Sequence, residues 1–243
     1  MDLTGKKVLI TGGACRVGRV IAETFADKKA EVLIHYHRSG READRLLKSL
    51  RKRGVRAESY QADLQSPSAI RRMVRRILKR HGSVDVLVHS ASVFYPTPFK
   101  RISDQNWDHF FQLHIKAPFL LAQLLGPVMK KKGSGRIIHI ADGGHRPMTA
   151  YIPYCVTKAG LLSLTQGLAK VLAPEVLVTA VCPGPVLAPA GMSGSEKKKI
   201  TRHSLLKRWG TPKDVAKMAV FLAEQDFVTG SAHWVDGGGS LRG

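Results

Sequence analysis

The chain is expected to fold as α/β, a single domain built on a doubly wound parallel sheet of about seven strands with helices on both faces. Two observations carry that expectation. Short runs rich in Val, Ile and Leu alternate with segments of helical period from start to end, as strands covered on both faces require. No linker, low-complexity stretch or repeat of fixed period interrupts the 243 residues, so one domain spanning 1–243 is expected. Right-handed crossovers between parallel strands then place helices on both sides.

Taken in order, strands are expected at Lys7–Thr11, Glu31–Tyr36, Ala57–Gln61, Val84–Ser90, Gly135–Ala141, Val176–Cys182 and His233–Val235. Helices are expected between them at about 16–29, 40–53, 67–81, 104–132, 153–173 and 212–224. Ser66-Pro67 and Thr211-Pro212 read as helix starts, a capping hydroxyl followed by a proline whose missing N–H costs nothing there. A loop covering the substrate, mobile, is expected at about 186–210.

Composition narrows the class. Hydrophobic residues make up 44% and charged residues 23%, a globular profile. A chain this long buries roughly 70–75% of its unfolded surface and needs no staple. Cys15, Cys155 and Cys182 share no C-x-x-C or His/Cys spacing, so neither a disulfide framework nor a metal site is expected. The opening MDLTGKKVLITGG has no apolar export core, and no run of 18 apolar residues occurs, so a cytoplasmic protein is expected.

The charge is the oddity: 39 Lys and Arg against 18 Asp and Glu give +21. Such a balance can serve nucleic acid, or it can be solvated helix faces and attraction for a phosphorylated cofactor. Arg71, Arg72, Arg75, Arg76, Lys79 and Arg80 interleave with Ile70, Met73, Val74, Ile77 and Leu78 at helical spacing, which favours the solvated face. No aromatic residues accompany the charges to stack bases, so a nucleic-acid partner is not expected.

Three motifs carry chemistry. The first strand runs into Thr11-Gly12-Gly13-Ala14-Cys15-Arg16-Val17-Gly18 and then a helix, where a Rossmann-like unit sets a pyrophosphate against a helix N-terminus. Gly12 permits the tight turn and Gly18 close packing of helix on strand. The second strand ends His35-Tyr36-His37-Arg38-Ser39, where an NAD-binding unit would carry Asp or Glu for the ribose 2′-hydroxyl. Guanidinium and hydroxyl groups, with Arg16 nearby, suit a 2′-phosphate instead, so NADPH/NADP+ is the expected cofactor. Finally, Tyr154-Cys155-Val156-Thr157-Lys158 sets a phenol and an ammonium on one helix face. A neighbouring ammonium is expected to lower the tyrosine pKa and allow proton exchange with a carbonyl or imine.

With these motifs the chain resembles the short-chain dehydrogenase/reductase family over essentially its whole length. The glycine turn, Asp63-Leu64, Tyr154 with Lys158, Pro183-Gly184 and Val235-Asp236-Gly237-Gly238 fall in family order. The resemblance implies that Tyr154 donates the proton, that Lys158 holds the nicotinamide ribose, and that Asp63 meets the adenine. It also implies that Gly12, Arg16, Val17, Gly18, His37, Arg38, Ser39, Leu64, Ser90, Ala91, Pro183, Gly184 and Val186 line the cofactor. Within the family, Arg16, the His35–Ser39 run, Ser92-Val93-Phe94-Tyr95-Pro96-Thr97-Pro98 and Ile140-Ala141-Asp142-Gly143 look like the pteridine and dihydromonapterin reductases. That likeness implies a catalytic Asp142 where most members carry serine, Phe94 stacking on a pterin, and Ser92 and Arg16 lining its pocket. Three departures stand out: His89-Ser90-Ala91-Ser92 replaces the usual Asn-Asn-Ala-Gly, His114 takes the place of a relay asparagine, and Asp142 precedes Tyr154 by 12 residues instead of 13.

The expected function is therefore NADPH-dependent reduction of a pterin. The alternative is a general short-chain ketoreductase acting on a 3-oxoacyl thioester or a sugar carbonyl; a remote one is a nucleotide-sensing or nucleic-acid-binding protein. A homotetramer is expected, built around the helices at about 104–132 and 153–173, the second carrying Leu161, Leu162, Leu164, Leu168 and Val171.

Overall fold

A computed structural model describes residues 1–142, 148–188 and 191–241 of the chain. β1 (Lys7–Thr11), β2 (Glu31–Tyr36) and β3 (Ala57–Gln61) coincide with their expected spans. β4 (Val86–His89), β5 (Gly135–Ile140), β6 (Val176–Pro183) and β7 (Ala232–Val235) differ only at their ends. β4 starts late because Asp85 turns its carboxylate to the Lys7 N–H, 2.8 Å away. The seven strands form one parallel sheet in the order β3-β2-β1-β4-β5-β6-β7.

Helices cover both faces, and the two-residue period of the strands sorts their partners. Val8, Ile10, Val32 and Ile34 pack toward α1 (Arg16–Asp27), α2 (Gly40–Lys52) and α8 (Pro212–Glu224). Leu9, Leu33, Leu87 and Val178 pack toward α3 (Pro67–His81), α5 (Ala117–Lys131) and α6 (Ile152–Leu172). On α3, Ile70, Met73, Val74 and Ile77 are buried while the arginines between them face water, the solvated face the pattern predicts. Each such buried side chain stabilises the fold by about 1.5–3 kcal/mol.

The single helix expected at about 104–132 is two, α4 (Asp104–Phe111) and α5, joined by a π-turn over Gln112–Lys116. Pro118 has no N–H to give the carbonyl of His114 four residues back. The ladder widens just before it, and the Ala117 N–H reaches Gln112 instead. Gly160 on α6 lets the turn approach: a Cβ there would stand 3.2 Å from Ile115. The expected loop at 186–210 holds a helix, α7 (Gly194–His203), opened by a capping box in which Ser193 and Glu196 satisfy each other's backbone N–H. Lys197–Lys199 therefore lie on a helix, not a loop; Pro189 and Ala190 of that segment lie outside the described residues.

The strand order reverses at β1, whose neighbours are β2 and β4. The chain runs in opposite directions from that point, which opens a crevice beyond the carboxyl ends of the strands.

Candidate active site

The glycine turn sits at the floor of this crevice. Gly12 has φ +64°, and a Cβ there would lie 2.9 Å from Ala91 Cα, so β1 and the segment after β4 close up only around glycine. A Cβ on Gly18 would lie 2.2 Å from the Gly12 carbonyl oxygen. Thr11 Oγ1 ties the same two segments, accepting the N–H groups of Ser90 and Ala91 at 3.1 and 3.0 Å. His35, buried at the end of β2, accepts the Gly12 N–H on Nδ1 at 3.2 Å and donates from Nε2 to the Ala62 carbonyl at 3.0 Å. Burial pushes its pKa down to about 4, so it stays neutral. Thr11 and His35 stand in the glycine-turn and basic runs without a role assigned there; only the burial of both side chains reveals that they carry this geometry.

The expected cofactor residues distribute around this floor. Arg16, at φ +53°, His37 and Arg38 are exposed, and Ser39 is half-buried with its Oγ 3.8 Å from Cys15 Sγ, which joins the turn to the basic end of β2. Val17 is half-buried at the start of α1, and Asp63 accepts the Gln65 N–H. Leu64 follows β3 and packs into the core against the α3 side of the sheet. At the far end, Pro183 and Gly184 close β6, where a Cβ on Gly184 would stand 2.7 Å from Asp236 Cα, and Val186 is half-buried.

Beyond the ends of β5 and β6 lies the reactive cluster. Tyr154, in the first turn of α6, donates its phenol to Asp142 Oδ2 at 2.5 Å. The 12-residue spacing thus still brings the two together; Gly143, next in that run, lies outside the described residues. One turn on, Lys158 is buried and donates to the Ile140 carbonyl at 2.8 Å. Its Nζ is 5.8 Å from the centre of the Tyr154 ring. The expected lowering of the tyrosine pKa by the lysine is reversed here. Burial first, then the Asp142 carboxylate, raise Tyr154 well above its ordinary value. Burial lowers Lys158 to about 8, against the pull of Asp142. The phenol keeps its proton at neutral pH.

Phe94 is 44% exposed, so it is no core aromatic. Its ring stacks on Tyr151 at 4.5 Å and 9° and meets Tyr154 edge-on at 4.9 Å and 77°. No motif pointed to Tyr151, although it lies one turn before Tyr154. Ser92 Oγ lies 3.0 Å from His114 Nε2. Leu161 and Leu168 on α6 belong to the core, whereas Val171 is exposed.

Residues 13–240 match the family model described as enoyl-(acyl carrier protein) reductase. The 3-oxoacyl-[acyl-carrier-protein] reductases FabG of Staphylococcus epidermidis and Aquifex aeolicus are 30% and 33% identical to the chain, over 96% and 98% of it and 98% of each relative. Among solved structures, FolM alternative dihydrofolate reductase 1 from Brucella canis, complexed with NADP, superposes with a TM-score of 0.91 at 28% identity, covering 99% of this chain and 96% of that one. The glycine turn, the Tyr154–Lys158 pair and the seven-stranded sheet account for that likeness, and the chain belongs to the short-chain dehydrogenase/reductase family of oxidoreductases.

Proposed function

We propose that the protein is an NADPH-dependent reductase of a flat, nitrogen-containing ring of the pterin type. The residues fit the cofactor: Gly12 and Gly18 clear a cradle at a helix N-terminus, and His35–Gly40 with Arg16 offers cations and no carboxylate to a 2′-phosphate. NADPH supplies a hydride when bound. Tyr154 holds the proton that completes reduction, and its raised pKa keeps that proton on the phenol until the substrate accepts it.

The observation that carries the pterin reading is the Asp142 carboxylate on the Tyr154 hydroxyl. An ionised carboxylate only accepts hydrogen bonds, so it matches the N–H groups of a pterin and repels a ketone oxygen gaining negative charge. The open face of Phe94 gives such a ring a stacking surface once Tyr151 yields.

A second reading, reduction of a 3-oxoacyl thioester or another simple carbonyl, is favoured by the FabG relatives, 3-oxoacyl-[acyl-carrier-protein] reductases by name, and they speak for it more directly than the FolM structure speaks for a pterin. Loss of NADPH absorbance with a dihydropterin, dihydrofolate, a 3-oxoacyl thioester and a simple quinone separates the two. Turnover of the dihydropterin supports the first; turnover of the thioester alone overturns it.

We also assign a homotetramer to the protein, paired through α4–α5 and α6. Phe111, Phe119, Val156 and Val171 stand exposed on those helices, and such pairing would cover them. Light scattering at micromolar concentration tests this, and a monomer would refute it. Among the described residues no helix is long and apolar enough to cross a membrane.

A further inference from the structure

His114 lies fully buried in the π-turn between α4 and α5, and both of its ring nitrogens are engaged. Nε2 accepts the backbone N–H of Val93 at 3.3 Å. That amide can only donate, so Nε2 must present a lone pair. The Ser92 hydroxyl lies 3.0 Å from the same nitrogen. In a neutral imidazole the proton then sits on Nδ1, which faces Thr157 Oγ1 at 3.0 Å. Thr157 gives its own hydrogen to the Tyr154 carbonyl at 2.9 Å, which leaves its oxygen free to accept. One protonation state satisfies every group in the chain Val93–His114–Thr157–Tyr154. The imidazole also meets the Tyr154 ring edge-on, 5.6 Å away at 83°.

We propose that His114 is a positioning residue which, locked as the neutral Nδ1–H tautomer, ties the Ser92–Val93 segment to the first turn of α6 and fixes the Tyr154 ring between them. It takes up and releases no proton during turnover. Where the family resemblance implies a relay asparagine, this chain has a clamp whose two nitrogens are both spent. The inference rests on Tyr154 as proton donor, not on which substrate receives the proton.

The surroundings hold the ring neutral. An imidazolium would set a second N–H against the Val93 N–H. The titratable groups facing it are Lys158 and Tyr154 from α6, His109 from α4 and His89 from β4. Burial first, and then the neighbouring Lys158 ammonium and His109 imidazole, push the His114 pKa down to about 2.

Nitrogen-15 spectra of the histidine side chains of the intact enzyme test the tautomer without any substrate. With His114 assigned by its loss in His114→Gln, its signals should report Nδ1–H and stay unchanged between about pH 5 and 8. A titration within that range, or an Nε2–H tautomer, would overturn the proposal. Kinetics test the clamp on whichever substrate the wild type reduces, so failure of the pterin reading leaves this arm intact. His114→Gln keeps an acceptor toward Val93 but no donor toward Thr157; His114→Asn does the reverse. Each should lower kcat by about 10- to 100-fold, the scale of a misplaced reacting group, with KM for NADPH unchanged. Thr157→Val should add little to His114→Gln, because both break the same bond. Wild-type kcat in both single variants, or full additivity with Thr157→Val, would remove the positioning role.

Discussion

Around the carboxyl ends of β1 and β2 the charged side chains stand open to water; the tyrosine and lysine beside the end of β5 are enclosed. Arg16, His37 and Arg38 are exposed, and apart from Thr11 and His35 the order around them comes from backbone and glycine clearances. Tyr154, Lys158, His114 and His139 are buried, and each makes a hydrogen bond, to Asp142, the Ile140 carbonyl, Thr157 and Thr165 in turn. An open corner attracts an anion by charge and tolerates the loss of one contact. An enclosed one depends on single protons, because each buried polar atom left unpaired costs about 1–3 kcal/mol. The two halves of one crevice should therefore fail under different stresses.

Acid is the harshest way to separate them. Burial holds His89 well below its ordinary pKa, His139 at about 3 and His114 at about 2. Unfolding lets all three take up protons below about 6.5, so stability that is complete above that pH is lost as pH falls toward the folded values. One unit below 6.5 the cost is about 1.4 kcal/mol per group, or about 4 kcal/mol for these three, and His35, held at about 4 in the open half, adds one more such share. Urea unfolding at about pH 7.5 and 5.5 should show this drop; an unchanged midpoint would mean the rings are charged or solvated in the fold.

Tyr154→Phe comes next in size. It should cut turnover by about 10²- to 10⁴-fold while NADPH binding, read by fluorescence titration, stays close to wild type. Retained turnover would mean that the proton comes from another group. Asp142→Ser should lower dihydropterin reduction by about 100-fold and raise reduction of a 3-oxoacyl thioester. If thioester turnover does not rise, the carboxylate is not what sets the substrate class.

The open half should yield smaller effects. Changing Arg16 and Arg38 together to Ala should weaken NADPH by about tenfold per contact, near 1.5 kcal/mol each, and spare NADH. Rising salt should erase part of that difference. Equal loss for both cofactors would disprove the 2′-phosphate corner. Phe94→Ala is the mildest, raising the pterin KM through a stacking contact worth about 0.5–1.5 kcal/mol without touching NADPH.

Strand spans and the glycine turn were legible because they are local: β1 and β2 follow from apolar runs ending at turn residues. The π-turn was not, since apolar spacing continues across it and the break arises from Pro118 acting four residues back. α7 carries a readable start signal in Ser193 and Glu196, hidden by a polar composition that buries none of its residues. The Tyr154–Lys158 pair was visible as a spacing, but the direction of the tyrosine shift was not. That direction depends on Asp142, which only the fold sets against the phenol. The histidine clamp was invisible for the same reason: His114, Val93 and Thr157 meet only through tertiary contact, and a tautomer belongs to the neighbours as much as to the ring.

The strand order also bears on how the polypeptide assembles as it leaves the ribosome. β1 precedes the other six strands in the chain yet lies in the interior of the sheet, between β2 and β4. One flank is filled soon, by β2 and then β3, but the other waits for β4, where Val86 pairs with Val8 from 78 residues upstream. Through that interval the edge Val8–Thr11 presents unpaired backbone and apolar side chains, the template on which nascent chains stick to one another. Fragments ending after β3 should accordingly aggregate, and those extended through β4 should stay dispersed for longer. Synthesis slowed between those two points would lengthen the exposure of the strand that joins the two halves of the sheet.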